Sequence, residues 1–198
     1  MKICFTLDDV IRAKTVQIGK IYKKNIDCDI DLNSLDFSTN DYQEIFSFKT
    51  KTEWQKFLYS DYAYEIFGEA PVTTKGVDKE FNLWLISLQD LDEEVEVMLA
   101  NPFEFNASIG FTCFFLSKIA TRVREMAFPA DSSDIWSKCD VLVTADPKLI
   151  EEKPEGKICV KINMPYNKDL KSDYSFDSLS EAIKDNNMLK KLIPDAEY

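Results

Sequence analysis

The chain has 198 residues, of which 45% are hydrophobic and 13% aromatic, enough for one domain with a packed core and a modest insertion. Its formal net charge of -11, from 35 acidic and 24 basic residues, argues against a nucleic-acid-binding surface, since the phosphate backbone would be repelled. No apolar run approaches the ~20 residues that cross a bilayer, so we expect no membrane segment.

The counts of histidine and cysteine narrow the chemistry further. Histidine is absent, which excludes histidine-based activation of a nucleophile and any histidine-ligated zinc site. A metal would have to be held by oxygen ligands, as Mg²⁺ and Ca²⁺ are. The first residues lack the long apolar stretch of a signal peptide, so we expect a cytoplasmic protein. Widely spaced cysteines without a Cys-x-x-Cys pair are typical of reduced, mostly buried thiols: Cys4, Cys28, Cys113, Cys139 and Cys159.

The predicted elements begin with a short apolar run over residues 2–7, which indicates a buried first strand. A helix is predicted over 10–24, followed by a polar, loop-rich stretch over 25–48. Two more helices are predicted over 52–67 and 78–88. From residue 95, strands and helices alternate: strands over 95–100, 122–128, 140–145 and 157–164, and helices over 105–120, 132–138 and 176–192.

This alternation predicts an α/β fold with a doubly wound, mainly parallel, five-stranded sheet. The segment between the first two strands is too long for a simple crossover, so we expect a small helical cap inserted after strand 1. The predicted division is a core of residues 1–12 and 92–198 with a cap of residues 13–91. In such sheets, sites form at the carboxyl ends of the strands, here at Thr6 to Asp9, at Asn101, and at Thr144 to Asp146.

Two segments resemble a known family. Residues 2–11, KICFTLDDVI, are similar to the first motif of the haloacid dehalogenase (HAD) superfamily, particularly the 5'(3')-deoxyribonucleotidase-like branch, where an apolar strand leads into Asp-Leu-Asp-x-Val or Thr. Residues 139–167 resemble the last motif and its continuation, ending in Pro165-Tyr166-Asn167. The resemblance covers most of the chain, roughly residues 2–167, and implies a Rossmannoid core with a small cap and a magnesium-dependent phosphatase site.

The chain departs from the family at the positions that carry this chemistry. The resemblance places the family's attacking, magnesium-binding aspartate at Thr6 and its general acid and base at Asp8. The later aspartate pair, which completes the magnesium site, falls on Thr144 and Ala145. A threonine hydroxyl is neutral, the chain has no histidine to deprotonate it, and Mg²⁺ needs anionic oxygens.

The remaining family positions are matched only weakly. The residue that holds the phosphoryl oxygens falls near Asn101, and the family's lysine has two candidates by position, Lys138 and Lys148. Structural explanations also stand beside the functional ones. Asp8 and Asp9 could end the strand and cap the next helix, and Asp146-Pro147 could be a turn.

The sequence therefore predicts a pseudophosphatase, a catalytically inactive HAD-like protein with a binding, assembly or structural role and no cofactor. Its remnant site would be Thr6, Asp8 and Asp9. One alternative is a 5'-nucleotidase or phosphatase with Mg²⁺ held by Asp8 and Asp146. Another is a nucleotide or phosphate sensor, in which Asn101 and Lys148 would contact a phosphorylated small molecule.

Two surface features bear on partners. A small cap cannot bury all of its aromatic residues, so some should contact the main domain, a protein partner or a second copy of the chain. The aromatic residues in question are Trp54, Phe57, Tyr59, Tyr62, Tyr64 and Phe67.

Arg122 and Arg124 lie two apart on a predicted strand and would share one face.

Overall fold

A computed structural model describes residues 1–91, 95–102, 104, 107–185 and 188. Within these residues, six strands form one sheet: β1 Lys2–Thr6, β2 Glu96–Ala100, β3 Glu125–Ala127, β4 Val141–Thr144, β5 Ile158–Ile162 and β6 Tyr174–Phe176. Their order is β3-β2-β1-β4-β5-β6, and every neighbouring pair is parallel. The predicted parallel α/β fold is confirmed, whereas the predicted count of five strands is wrong, because β6 forms a sixth.

Strand β6 could not be predicted because it has three residues, too few for an alternating pattern. It adds to β5 by pairing Tyr174 with Val160 and Phe176 with Ile162. The helix predicted over 176–192 is reduced in the described part to α8, Leu179–Ala182, and residues 186–187 and 189–192 lie outside the described residues.

The other helices are α1 Lys14–Asn25, α2 Tyr42–Ile45, α3 Lys51–Lys56, α4 Val77–Leu91, α5 Ala107–Lys118, α6 Ser132–Trp136 and α7 Pro147–Glu151. Short 3₁₀ turns cover Leu32–Ser34 and Pro165–Asn167. The helix predicted over 52–67 is interrupted: α3 ends at Lys56 and two wider π-helical turns follow, Phe57–Asp61 and Tyr64–Gly68.

Two predicted boundaries are wrong for local reasons. The first helix begins at Lys14 rather than residue 10, because a tight loop follows β1 in which the Leu7 carbonyl accepts the amides of Ile11 at 3.0 Å and Arg12 at 2.9 Å. The third strand begins only at Glu125. Arg122 and Arg124 therefore precede it and do not share a strand face.

Three hydrophobic clusters organise the packing. On one sheet face, α4 packs Phe81 and Trp84 edge-on against Phe5, with ring centroids 4.9 and 5.5 Å away. On the other face, α6 and α7 pack around the buried Trp136. Residues 14–70, hereafter the helical insertion, have their own aromatic cluster. The segment predicted as a cap, 13–91, thus divides between the insertion and α4, which packs on the sheet.

The insertion buries much of its aromatic surface against itself. Trp54 stacks on Phe57 at 5.9 Å, and Tyr59 stacks on Phe67 at 5.6 Å. Tyr64 reaches α5, with ring centroids 5.4 Å from Phe111. At least one of these rings, that of Tyr64, therefore contacts the main domain.

Two further findings concern the chain as a whole. In the described part of the chain, no helix is long and apolar enough to cross a membrane. All cysteines are free, with Cys4, Cys139 and Cys159 buried and Cys28 and Cys113 exposed.

Candidate functional site

A cavity of about 90 Å³ lies at the carboxyl edge of the sheet. It is lined by five of the residues that the sequence singled out: Thr6, Asp8, Asp9, Asn101 and Asp146. They come together because β1, β2 and β4 are adjacent and parallel, so that the residues following them meet at one edge. The helical insertion closes the cavity with Lys14, Asn40, Tyr42 and Tyr59, and Tyr166 lines it from the segment after β5.

Thr6 and Thr144, at the ends of β1 and β4, are joined by a hydrogen bond between their hydroxyls. Thr6 Oγ1 donates to Thr144 Oγ1 at 3.1 Å, and that oxygen also accepts the amide of Asp146 at 3.1 Å. Both threonines are buried. Where the family resemblance places negatively charged carboxylates, this chain therefore has a neutral pair engaged in its own hydrogen bonds.

Asp8 is held by two cations and an amide. Its Oδ1 accepts Arg12 Nε at 2.8 Å and Nη2 at 2.5 Å, while Oδ2 accepts Lys14 Nζ at 2.7 Å and Asn101 Nδ2 at 3.2 Å. Burial alone would raise the pKa of Asp8, but the charges of Arg12 and Lys14 outweigh it and lower the pKa to about 2. Asp8 is thus ionised at neutral pH, with both oxygens engaged, and has no proton to give as a general acid.

Arg12 is fully buried and joins separate parts of the chain. Its Nη2 donates to Glu104 Oε1 at 2.5 Å, and its Nη1 donates to Thr112 Oγ1 at 2.5 Å and to the Phe67 carbonyl at 3.1 Å. Glu104 also accepts Asn101 Nδ2 at 2.5 Å. Burial raises the pKa of Glu104 despite the neighbouring guanidinium.

The motifs in the sequence do not single out Arg12, Lys14 or Glu104. The spacing of four between Asp8 and Arg12 was an available signal for an ion pair. No such signal exists for Glu104, which is 92 positions from Arg12 and follows a different strand.

Asp9 has positive φ, 58°, a conformation that aspartate tolerates better than most residues. Its carboxylate accepts the Thr15 amide at 3.0 Å, the Thr15 hydroxyl at 2.5 Å and the Tyr166 hydroxyl at 2.9 Å. Burial raises the pKa of Asp9. These bonds hold the start of α1 and link it to Tyr166, within the Pro-Tyr-Asn sequence that resembles the family's ending.

Asp146 lines the cavity but also caps α7. Its Oδ1 accepts the amides of Lys148 at 2.8 Å and Leu149 at 3.4 Å, and burial raises its pKa. Lys148 does not line the cavity; its ammonium lies 3.9 Å from Glu152, and its side chain is 48% exposed. Lys138 is exposed and precedes β4, which places it at the opposite edge of the sheet.

Asn101 is buried at the end of β2. Its Nδ2 donates to Asp8 and Glu104, while its Oδ1 is buried with no hydrogen-bond partner among the described residues. The side-chain atom left without a bond is therefore an acceptor. A phosphate oxygen is also an acceptor, so this arrangement does not suit phosphate recognition.

The donor set does not fit the magnesium ion that the resemblance implies. Mg²⁺ requires several oxygen ligands in near-octahedral geometry and favours carboxylates. Asp8 is already neutralised by Arg12 and Lys14, and Thr6 carries no charge. Among the described residues, no group of three or more acidic or cysteine side chains is placed to hold a metal ion.

Comparisons with known proteins bear on the fold. A scan against protein-family models gives no match, and a search of curated protein sequences gives none either. Solved structures do match, among them a haloacid dehalogenase-like hydrolase from Burkholderia xenovorans LB400. The TM-score is 0.57 at 8% sequence identity, over 94% of this chain and 96% of that one. At this identity the likeness shows the fold alone, which is HAD-like.

Proposed function

We propose that this chain is a catalytically inactive HAD-like protein with a binding, assembly or structural role. The observation that carries the proposal is the state of Asp8, whose two carboxylate oxygens are occupied by Arg12 and Lys14. In the family that the sequence resembles, this position supplies and accepts protons during phosphoryl transfer. A carboxylate held in two ion pairs, with its pKa lowered to about 2, is poorly suited to that role.

The nucleophile position supports the same proposal. Thr6 would have to lose a proton before attacking phosphorus, and its hydroxyl instead donates to Thr144. Phosphoryl transfer depends on positive charge that neutralises the oxygens of the transferring group. Here the positive charges of Arg12 and Lys14 are already matched by Asp8 and Glu104.

The size of the cavity argues against both alternatives that involve a nucleotide. Pockets for drug-sized or cofactor-sized ligands have volumes of about 300–1,000 Å³. The volume at this site, about 90 Å³, is well below that range. A nucleotidase or a nucleotide sensor would need the helical insertion to move away from the sheet.

A binding role needs a surface, and one aromatic pair is available where the insertion meets α5. Tyr64 and Phe114 are 39% and 46% exposed, with ring centroids 5.6 Å apart. Exposed aromatic rings are common at protein interfaces. We propose a protein partner or self-association at this place, in the cytoplasm, where the free thiols would stay reduced.

The proposal is tested by measuring hydrolysis of a broad phosphatase substrate and a panel of nucleoside monophosphates with Mg²⁺. We expect no turnover above background from the unmodified protein or from Asp8→Asn, even at high protein concentration. A Thr6→Asp variant measures what restoring the nucleophile alone achieves, and we expect it to stay inactive because Lys14 still holds Asp8. Turnover by the unmodified protein that is lost in Asp8→Asn would favour the phosphatase with an unusual site.

A further inference from the structure

Arg12 and Lys14 form ion pairs that a loss of phosphoryl-transfer activity does not by itself explain. We propose that they are positioning residues that replace the divalent cation found in enzymes of the family that the sequence resembles. As built-in counter-ions of Asp8, they would keep the site assembled without a metal ion. This inference rests on the proposed function, because it takes Asp8 to be a structural carboxylate rather than a catalytic one.

The first support is the balance of charge around Asp8. Two carboxylates, Asp8 and Glu104, contact two cations, Arg12 and Lys14, with ion-pair distances of 2.5 to 2.7 Å. A site that recruits a divalent cation has surplus negative charge, which the ion offsets. This cluster is neutral without an added ion, and Mg²⁺ would have to displace one of the two side chains.

The second support is the position of Lys14. Lys14 lines the same cavity as Thr6, the position that the resemblance assigns to magnesium binding. The residue is the first of α1, and the loop before it is fixed by the Ala13 amide, which donates to the Pro71 carbonyl at 2.9 Å. The ammonium also lies 5.7 Å from the centroid of the Phe67 ring. Backbone and ring contacts together hold the cation over Asp8.

The other charged groups that face the cavity have partners of their own. Asp9 accepts three hydrogen bonds, from Thr15 and Tyr166, and Asp146 caps α7. Neither is paired with Lys14 or Arg12 in a contact of ion-pair length among the described residues. Among these carboxylates, Lys14 therefore forms an ion pair with Asp8 alone. Its removal should leave Asp8 with one counter-ion fewer.

The test is thermal unfolding of the full chain in the presence of added cations. Breaking a partly buried ion pair from one side leaves a charge without its partner, so we expect Lys14→Ala to lower Tm by ~10 °C. Propylammonium chloride, which matches the carbons and the ammonium group that Lys14→Ala removes, should recover part of the lost Tm in a saturable way. Mg²⁺ should also stabilise the variant, while neither salt should shift the unmodified protein beyond an equal ionic strength of NaCl.

The controls separate charge replacement from general stability. Lys14→Arg should lower Tm much less than Lys14→Ala does, because it keeps a cation next to Asp8. Lys153→Ala removes another lysine, paired with Asp173 at 3.0 Å near the protein surface, and should show no cation-specific recovery. If Lys14→Ala does not fold, the double variant Lys14→Met/Asp8→Asn replaces it, and we expect that variant to fold and to ignore both cations.

Two results would overturn the inference: a Mg²⁺-dependent rise in Tm of the unmodified protein, or a Lys14→Ala variant that loses no stability and responds to neither cation. Hydrolysis measured on the same preparations keeps the proposals distinguishable. Turnover alone would contradict the proposed function, whereas the cation response decides the role of Lys14.

Discussion

The pKa values of four carboxyl groups at the site are shifted in different directions. Burial raises the pKa of Asp9, Glu104 and Asp146, whereas the charges of Arg12 and Lys14 overcome burial and lower that of Asp8 to about 2. A raised pKa favours folding while the group is protonated, and this contribution is lost as the pH rises through the folded-state pKa. A lowered pKa has the opposite effect, so the contribution of Asp8 is lost as the pH falls from about 4, the ordinary aspartate value, through about 2.

An Asp9→Asn substitution tests the first of these effects. Asparagine also tolerates positive φ and can still accept the Thr15 amide, so we expect the variant to fold. The free energy of unfolding should fall less steeply as the pH rises above about 3.9, because the fold no longer contains a buried aspartate with a raised pKa. Urea denaturation over a pH series measures the slope.

The matched control is Asp29→Asn, a change at an exposed aspartate of the insertion. Its pH slope should follow that of the unmodified protein. If Asp9→Asn also left the slope unchanged, the ionisation of Asp9 would not be coupled to folding.

At the scale of elements, what could be predicted depends on whether the signal is local. Central strands such as β1 and β4 were placed within one or two residues because strands buried on both faces read as continuous apolar runs. The π-helical turns of the insertion could not be foreseen from the spacing of aromatic residues, which also suits an ordinary helix. The loop at residues 7–12 is fixed by backbone bonds to Leu7, for which the residue types gave no signal.

Attachment of the insertion to α5 is the feature most open to test at this scale. Arg12 donates to the Phe67 carbonyl and to Thr112, and Lys118 Nζ donates to the carbonyls of Gly68 at 3.1 Å and Ala70 at 3.4 Å. These bonds join the last turn of the insertion to a helix of the core. They keep the cavity small by keeping the insertion in place.

Thr112→Val removes a hydroxyl that accepts from Arg12 and donates to Glu104, while preserving the shape of the side chain. Loss of buried hydrogen bonds costs about 1–3 kcal/mol, so local opening should increase by roughly five- to 150-fold. We expect faster hydrogen exchange at the amides of Ile66 and Glu69, relative to amides in β1. Ser117→Ala, at an exposed position of the same helix, should leave exchange unchanged; equal rates in the two variants would contradict this attachment.

At the scale of the whole molecule, the fold class and the edge of the sheet where the cavity lies could both be predicted from the sequence. Alternating strands and helices predict a parallel sheet, and a parallel sheet brings Thr6, Asn101 and Thr144 to one edge. What that edge contains could not be predicted, because the partners of Asp8 depend on contacts between distant segments. Arg12 and Glu104 come together only in the folded chain, where the loop after β1 lies against the segment after β2.

We propose that the site carries out no phosphoryl transfer, and a single-turnover measurement tests this proposal. The unmodified protein, in excess over acetyl phosphate or a nucleoside monophosphate with Mg²⁺, is followed by intact-mass spectrometry and by release of inorganic phosphate in a single turnover. We predict no covalent adduct and no release above the rate in buffer. A gain of one phosphoryl group at Thr6 or Asp8, or release that Asp8→Asn abolishes, would contradict the claim.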